Sequence, residues 1–335
     1  MCTSCFSASW VLGGDSTSRG AALWVAQPAH GRSAPPVSWQ SRPRPAPAAL
    51  ARLVGEYGDN GDTIIVLERG GRLYAHTGKR ETGLTVSQFD FLSGGPPSLR
   101  LGTVAYPRVA VGTDEGVTFR VSRLRGVEEL RAAALSATAP RQHGSTRVSD
   151  LVEPAVLDTG IHLDIRYAST NNFLGAPMYS SARAFMQRTA AMAIVRAHRA
   201  LSTYGYGLLI HDAYRPWYVT RMFWDATRGA DHAFVANPAI GSRHNRGAAV
   251  DLTLYDLKTG LPARMTGGYD EFSRRSYAAY PGGTSLERWL RDLLRNQMEA
   301  EGFRVNQTEW WHFDYSHWQE YQILNIPFEN VRKNH

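Results

Sequence analysis

The 335-residue sequence predicts an α+β protein in which a small antiparallel β module precedes a larger mixed region. Three observations support this. From about 50 to 135, short apolar runs are broken by Gly, Asp and Asn, a hairpin pattern. After residue 180, two stretches place apolar residues at helical spacing. Between those stretches lie two apolar runs of strand length, Tyr206–Ile210 and Ala248–Leu254.

Residues 1–48 are rich in Ser, Pro, Ala, Gly and Arg and end in Arg42-Pro43-Arg44-Pro45-Ala46-Pro47. Proline at that density resists packing, so a disordered arm is expected. Residues 49–135 form the expected β module. Thr63–Leu67, Gly70-Gly71 and Leu73–Ala75 read as strand, tight turn and strand. Val109–Val111 and Val117–Val121 flank a second turn at Asp114-Glu115-Gly116. The module holds no cluster of His, Cys or carboxylates, so packing or positioning is its expected role. Residues 136–150 read as a linker. In the region 151–335, Ser181–Thr203 is expected to be a helix with Phe185, Met192, Val195 and Leu201 on its apolar stripe. Leu286–Glu301 is a second helix, with Leu286, Leu290, Leu293, Leu294 and Met298 inward and Gly302 as its left-handed cap.

Bulk properties narrow the functional class. The formal charge is +7, but its arginines are dispersed and no short window is dominated by Lys and Arg, which speaks against nucleic acid as a partner. No run of about 18 apolar residues exists to span a membrane. Cys2 and Cys5 have C-x-x-C spacing without a second pair or a strand–helix context. The N-terminus lacks the basic start and the apolar stretch of about 7–15 residues that mark a secretion signal, leaving a cytoplasmic or a periplasmic location open. Oligomeric state is not legible.

Three segments carry chemistry. In Ser242-Arg243-His244-Asn245-Arg246-Gly247-Ala248-Ala249-Val250-Asp251, a His in a Gly-bounded loop leads into an apolar strand that contains Asp251. An unpaired carboxylate there is costly, and either a metal or a buried salt bridge would answer it. In Thr308-Glu309-Trp310-Trp311-His312-Phe313, a base and a potential ligand sit among aromatics; the alternative is a core strand with an incidental His. Positions three apart face opposite sides of an ideal strand, so Glu309 must start the strand or lie on a bend. In His211-Asp212-Ala213-Tyr214-Arg215-Pro216, a proline-held guanidinium suits an oxyanion or a substrate carboxylate, or else pairs with Asp212. Two His and one Asp are the protein ligands of a catalytic zinc, with the fourth position left to water and Glu309 as base.

At these residues the sequence resembles the D-alanyl-D-alanine dipeptidases, the vancomycin-resistance type within the hedgehog/D,D-peptidase fold. Their S-x-H-x-x-G-x-A-x-D motif is met by Ser242, His244, Gly247, Ala249 and Asp251, and their E-x-x-H by Glu309 and His312. The likeness extends through Asp164–Ala168, Asn171–Phe173, Tyr204–Leu209, Asp212–Pro216 and Gly267–Asp270, covering about 150–330. It implies one zinc ion per subunit on His244, Asp251 and His312, Glu309 as acid/base, and Arg215 acting on the carbonyl oxygen. It also implies a small dipeptide substrate, with Tyr167, Ser242 and Asp270 lining its pocket. Asp270 would meet the free amine, and the Ser242–Arg243 loop the carboxylate. The alternatives are a D,D- or L,D-carboxypeptidase acting on longer peptidoglycan peptides and a non-catalytic, zinc-bearing cell-wall binding module. Residues 1–150 are an addition whose role the resemblance does not fix, and Lys258–Gly268 matches only loosely.

Overall fold

The computed structural model describes residues 41–58, 63–78, 80–91, 95–109, 119–142 and 147–331. Nearly all of the expected arm, both cysteines and most of the second expected hairpin lie outside the described residues.

A single helical turn, α1 (Ala48–Ala51), leads into four antiparallel strands, β1 (Gly55–Tyr57), β2 (Ile64–Arg69), β3 (Arg72–Thr77) and β4 (Arg80–Leu84), which pair in sequence order. Gly70 and Gly71 join β2 to β3 at φ of 56° and 79°. A two-residue turn that matches the strand twist needs positive φ at both positions, and glycine adopts it without a Cβ penalty. A second antiparallel sheet holds β5 (Phe89–Asp90), β6 (Ser98–Leu101) and β7 (Val104–Pro107). The two share a core of Leu53, Tyr57, Ile64, Val66, Leu73, Phe89 and Leu99.

The stretch expected to be β ends in a helix, α2 (Val127–Ser136), which packs on α5 (Trp217–Ala226). Leu130 and Ala134, four apart, are fully buried, and the alanine-rich run between them favours helix. The short pair β8 (Leu151–Val152) and β10 (Met186–Gln187) flanks a single turn, α3 (Pro154–Leu157). This pairing delays the next helix. Met186 and Gln187 are committed to β8, so α4 runs Arg188–Ser202 and starts seven residues later than Ser181. Phe185 lies outside it, edge-on to Phe328. Met192 is 43% exposed, because the buried stripe runs through Ala190, Ile194, Ala197 and Leu201, and its two alanines are residues that a search for large apolar ones passes over.

The main sheet has five strands in the order β13 (Phe303–Asn306), β14 (Glu309–Tyr315), β12 (Ala249–Asp256), β11 (Tyr206–Asp212) and β9 (His162–Leu163). Only β9 and β11 are parallel. Helix α6 (Ser285–Ala300) packs on β12, β13 and β14, α4 packs on β11, and the two helices touch. A capping box between Thr284 and Glu287 starts α6, and Gly302 follows it at φ 84°. Leu286 is only half-buried, unlike Leu290, Leu293, Leu294 and Met298.

The β module is fastened to the segment that enters α6. Tyr280 Oη donates to Glu56 Oε1 at 3.0 Å, Arg288 Nη2 donates to Glu68 O at 2.7 Å, and Glu68 N donates to Gly283 O at 3.2 Å. Glu68, 2% exposed, accepts from Ser285 N at 2.9 Å and from Gly71 N at 2.6 Å. A carboxylate that close to the first turn of α6 also meets the positive end of its dipole. Glu68→Ala is expected to lower stability by about 2–3 kcal/mol, since two backbone N–H groups lose a charged acceptor. Chemical denaturation measures it, and a loss below about 0.5 kcal/mol would show the junction to be solvated.

Candidate active site

Asp251 and His312 face each other across the antiparallel pair β12–β14. Directly opposed residues on one sheet face bring their side chains together, so this register alone joins two residues 61 positions apart. On the other flank of β12 the pairing of β11 slips: Leu252 opposes Ile210, but Asp251 opposes Asp212. His211 is the extra residue of this bulge, and the slip brings Asp212 to the side of Asp251.

His244 comes from a one-turn 3-10 helix, His244–Arg246, which ends at Gly247 with φ 63°. A Cβ at Gly247 would lie 2.5 Å from Leu151 Cδ2, so both backbone and space demand glycine. The loop is stitched to its neighbours. Ser242 Oγ accepts from His244 N at 3.2 Å, Asn245 Nδ2 donates to Arg215 O at 2.8 Å, and Arg215 N donates to His244 O at 3.1 Å.

Hydrogen bonds select which imidazole nitrogen faces the site. His244 Nδ1 lies 2.6 Å from Ala213 O, which can only accept, so its Nε2 carries the free lone pair. His312 Nε2 lies 2.9 Å from Asp314 Oδ1, leaving Nδ1. The three donor atoms His244 Nε2, His312 Nδ1 and Asp251 Oδ1 are 3.1, 3.0 and 3.2 Å apart. An ion holding such donors tetrahedrally at roughly 2.0–2.1 Å keeps them about 3.3 Å apart, so the residues present fit a metal.

Glu309 is the first residue of β14, where the pairing with β13 shifts so that it opposes Asn306. That resolves the facing problem of the E-x-x-H spacing. Its Oε2 accepts from Asn306 Nδ2 at 2.8 Å and lies 3.7 Å from His312 Nδ1. Burial raises the Glu309 carboxyl above its ordinary range, more than His312 pulls it down.

Arg215 directs Nε and Nη2 at Asp212 Oδ2, 2.9 and 2.7 Å away, and Nη2 is 3.5 Å from Asp251 Oδ2. Its guanidinium lies 5.3 Å from the Tyr167 ring centre and 4.8 Å from that of Phe223. Burial works against the Arg215 charge, but Asp212 holds it firmly protonated. The pairing with Asp212 that the sequence left as an alternative is therefore present, and Nη1 has no hydrogen-bond partner among the described residues. Tyr167 Oη donates to Asp270 at 2.9 Å. Asp270, at φ 57°, is the only described non-glycine residue with positive φ, a conformation that persists only where surroundings impose it. Burial and then Asp251 push its carboxyl well above the usual range. Burial also acts to raise Asp251, but His244 and His312 overcome it and hold that carboxyl well below the usual range.

All nine residues singled out from the sequence, Tyr167, Arg215, Ser242, Arg243, His244, Asp251, Asp270, Glu309 and His312, line one cleft of about 170 Å³. Arg243 stands 3.6 Å from Asp314 and over the Trp318 ring, while Phe173, Phe223, Phe234, Phe272 and Trp311 wall the cleft. His211 stays outside it, stacked on Tyr269 and 3.5 Å from Asp164. Four supporting residues went unrecognised in the sequence: Asp314 behind His312, Asn306 on Glu309, Tyr179 donating to Asp212 at 2.6 Å, and Tyr269 donating to Asp251 at 3.2 Å. Asp314 was within reach, since it lies two residues from His312 on the same strand face.

The sequence profile of a family described as D-ala-D-ala dipeptidase, Peptidase M15, matches residues 147–333. The D-alanyl-D-alanine dipeptidase of Escherichia coli (strain K12) is 34% identical over 180 residues, 54% of this chain and 92% of the relative. That of Enterococcus faecium is 34% identical over 175 residues, 46% of this chain and 85% of the relative. That of Streptomyces coelicolor is 35% identical over 179 residues, 47% of this chain and 87% of the relative.

Asp314→Asn is expected to weaken divalent-metal affinity about 10–100-fold, because the amide no longer fixes the His312 tautomer as a carboxylate does. Competition against a chromophoric chelator reads this, and unchanged affinity would remove Asp314 from the site.

Proposed function

The chain belongs to the D-Ala-D-Ala dipeptidase family of metallopeptidases, and on that footing we propose that it hydrolyses D-alanyl-D-alanine to two D-alanine with one zinc ion per subunit. Its catalytic region, on this reading, has the hedgehog/D,D-peptidase fold. The observation that carries the proposal is a charge imbalance. Asp212, Asp251, Asp270 and Glu309 are gathered around a single buried guanidinium, Arg215. Asp314 stands behind His312, 2.9 Å from its Nε2, and has Arg243 as its own cation at 3.6 Å. With all four carboxyls ionised, a divalent cation together with one substrate ammonium would bring that cluster to neutrality, and both would favour the ionised state that burial opposes at Asp270 and Glu309. His244 Nε2, Asp251 Oδ1 and His312 Nδ1 would hold the metal. Two imidazoles and a carboxylate, without thiolate, are a set that catalytic zinc takes.

When bound, zinc supplies Lewis acidity that makes water nucleophilic near neutral pH and polarises a carbonyl. Glu309 takes the proton of the attacking water and passes it to the leaving amine. Its burial raises its proton affinity toward what that exchange needs, and Asn306 fixes its orientation. Arg215, immobilised on Asp212 and between two rings, turns Nη1 to the carbonyl oxygen as negative charge develops there. Asp270 and Tyr167 receive the free amine, which gives the raised Asp270 carboxyl a cationic partner. Arg243, with Ser242 supporting the loop, receives the carboxylate. The volume, well under the roughly 300–1,000 Å³ of drug-sized ligands, favours a dipeptide over a longer peptidoglycan stem.

D-Alanine release from D-Ala-D-Ala, and none from N-acetyl-D-Ala-D-Ala, is the expected assay result, with activity abolished by a chelator. Cleavage of the blocked peptide would instead assign a carboxypeptidase, and cleavage of neither would point to a binding module. Glu309→Ala is expected to keep its metal and lose most turnover, about 10²–10⁴-fold. Undiminished hydrolysis by that variant would exclude Glu309 as the base. Arg215→Lys keeps a charge opposite Asp212 but loses the planar fork. It is expected to lower kcat about 10²–10³-fold with little change in KM, and a change in KM alone would make it a ground-state binder.

A further inference from the structure

A second cavity, of about 920 Å³, lies where the β module meets the catalytic region and shares no lining residue with the catalytic cleft. One wall is α1 with its flanks, and the other is the first turns of α6 with the loop from Ala263 to Gly268. Its size is within the roughly 300–1,000 Å³ of small-molecule sites.

Its polar groups are unbalanced. Tyr206 Oη, Thr266 Oγ1 and Arg108 Nε are buried without a hydrogen-bond partner among the described residues, and all three residues line this cavity; Arg108 Nη1 and Nη2 already donate to Arg52 O and Val54 O. Buried polar atoms are nearly always paired, so three orphans on one cavity need an explanation. Two arginines on the same wall have aromatic neighbours but no carboxylate among the described residues: Arg42 lies over the Tyr206 ring at 5.3 Å and Arg52 over Phe91 at 4.6 Å. The acids of the lining are already engaged. Glu287 accepts from Thr284 N at 2.7 Å and pairs with Arg264 at 2.9 Å, and Asp256 Oδ1 accepts from Lys258 N and Thr259 N at 2.9 and 3.0 Å. What the wall still offers is donors and positive charge, interleaved with apolar Ala46, Ala51, Val54, Met265, Leu286 and Leu290.

We infer that this cavity is a binding site for a small amphiphilic anion, a carboxylate or phosphate head on an apolar body. The head would answer Arg42 and Arg52, with Arg108 Nε and the two hydroxyls as further donors, and the body would cover the alkyl side chains. The inference is independent of what the catalytic cleft does. The loop that forms one wall runs directly into Tyr269 and Asp270, so an occupant would touch the chain that carries part of the catalytic cleft.

Calorimetric titration of the full chain with decanoate, with decyl phosphate and with decylamine, each below its micellar concentration, tests this. One saturable site per chain for either anion is expected, with no binding of the amine. Which anion binds identifies the head group. Chelation of metal is expected to leave the affinity unchanged. Arg42→Glu, on an exposed side chain, and Ala51→Trp, which fills the cavity, are each expected to weaken binding at least tenfold while melting like the parent. Absence of saturable binding for both anions, equal binding of decylamine, loss of binding on chelation, or full affinity in Arg42→Glu would each overturn the assignment.

Discussion

Arg215 carries its charge into a box closed by Tyr167 and Phe223, where Asp212 answers it at 2.7 Å and Asp251 at 3.5 Å. Removing a guanidinium and a carboxylate from water costs several kcal/mol per ion, so such a pair persists only where geometry and further bonds offset the loss. Tyr179 supplies one of those bonds to Asp212, and the main chain of Arg215 supplies two more by trading hydrogen bonds with the His244 loop. The ion pair thereby ties the end of β11, the start of α5 and the loop bearing His244 to one point. The facing of Asp212 toward Asp251 rests in turn on the one-residue bulge at His211.

Much of this was legible in the sequence, for physical reasons that differ from residue to residue. Asp251 between Val250 and Leu252, and His312 among tryptophans, stand out because a polar group in an apolar strand demands a partner. Tyr167 and Asp270 do not stand out in that way, and they were named only through the family motif. Two of the supporting residues escaped because they act at a distance along the chain, Tyr179 from 33 residues before Asp212 and Tyr269 from 18 after Asp251. Asn306, only three residues away, reaches Glu309 through a β-bulge. Helix boundaries failed in a similar way. The true start of α4 depends on β8 pairing with Met186-Gln187, a contact with no local signature.

The β module illustrates the limit of reading by clusters. It has no His or Cys constellation, and its contribution is instead made by single groups at a junction, Glu56 on Tyr280 and Glu68 on the first turn of α6. Those contacts involve carboxylates that look like ordinary surface charges in the sequence.

The register that joins Asp251 to His312 also makes the cluster depend on a late part of the sequence. β14 is the last strand among the described residues, and it lies between β12 and β13 in the sheet. Until it pairs there, Asp251 lacks His312 and Glu309 is absent from the cleft, so nothing built from the first 300 residues can gather the full donor set. Long-range strand pairing of this kind is slow relative to local helix formation. The cluster of His244, Asp251 and His312 is therefore complete only when this strand has paired with β12, although its other two members precede it by 61 residues or more.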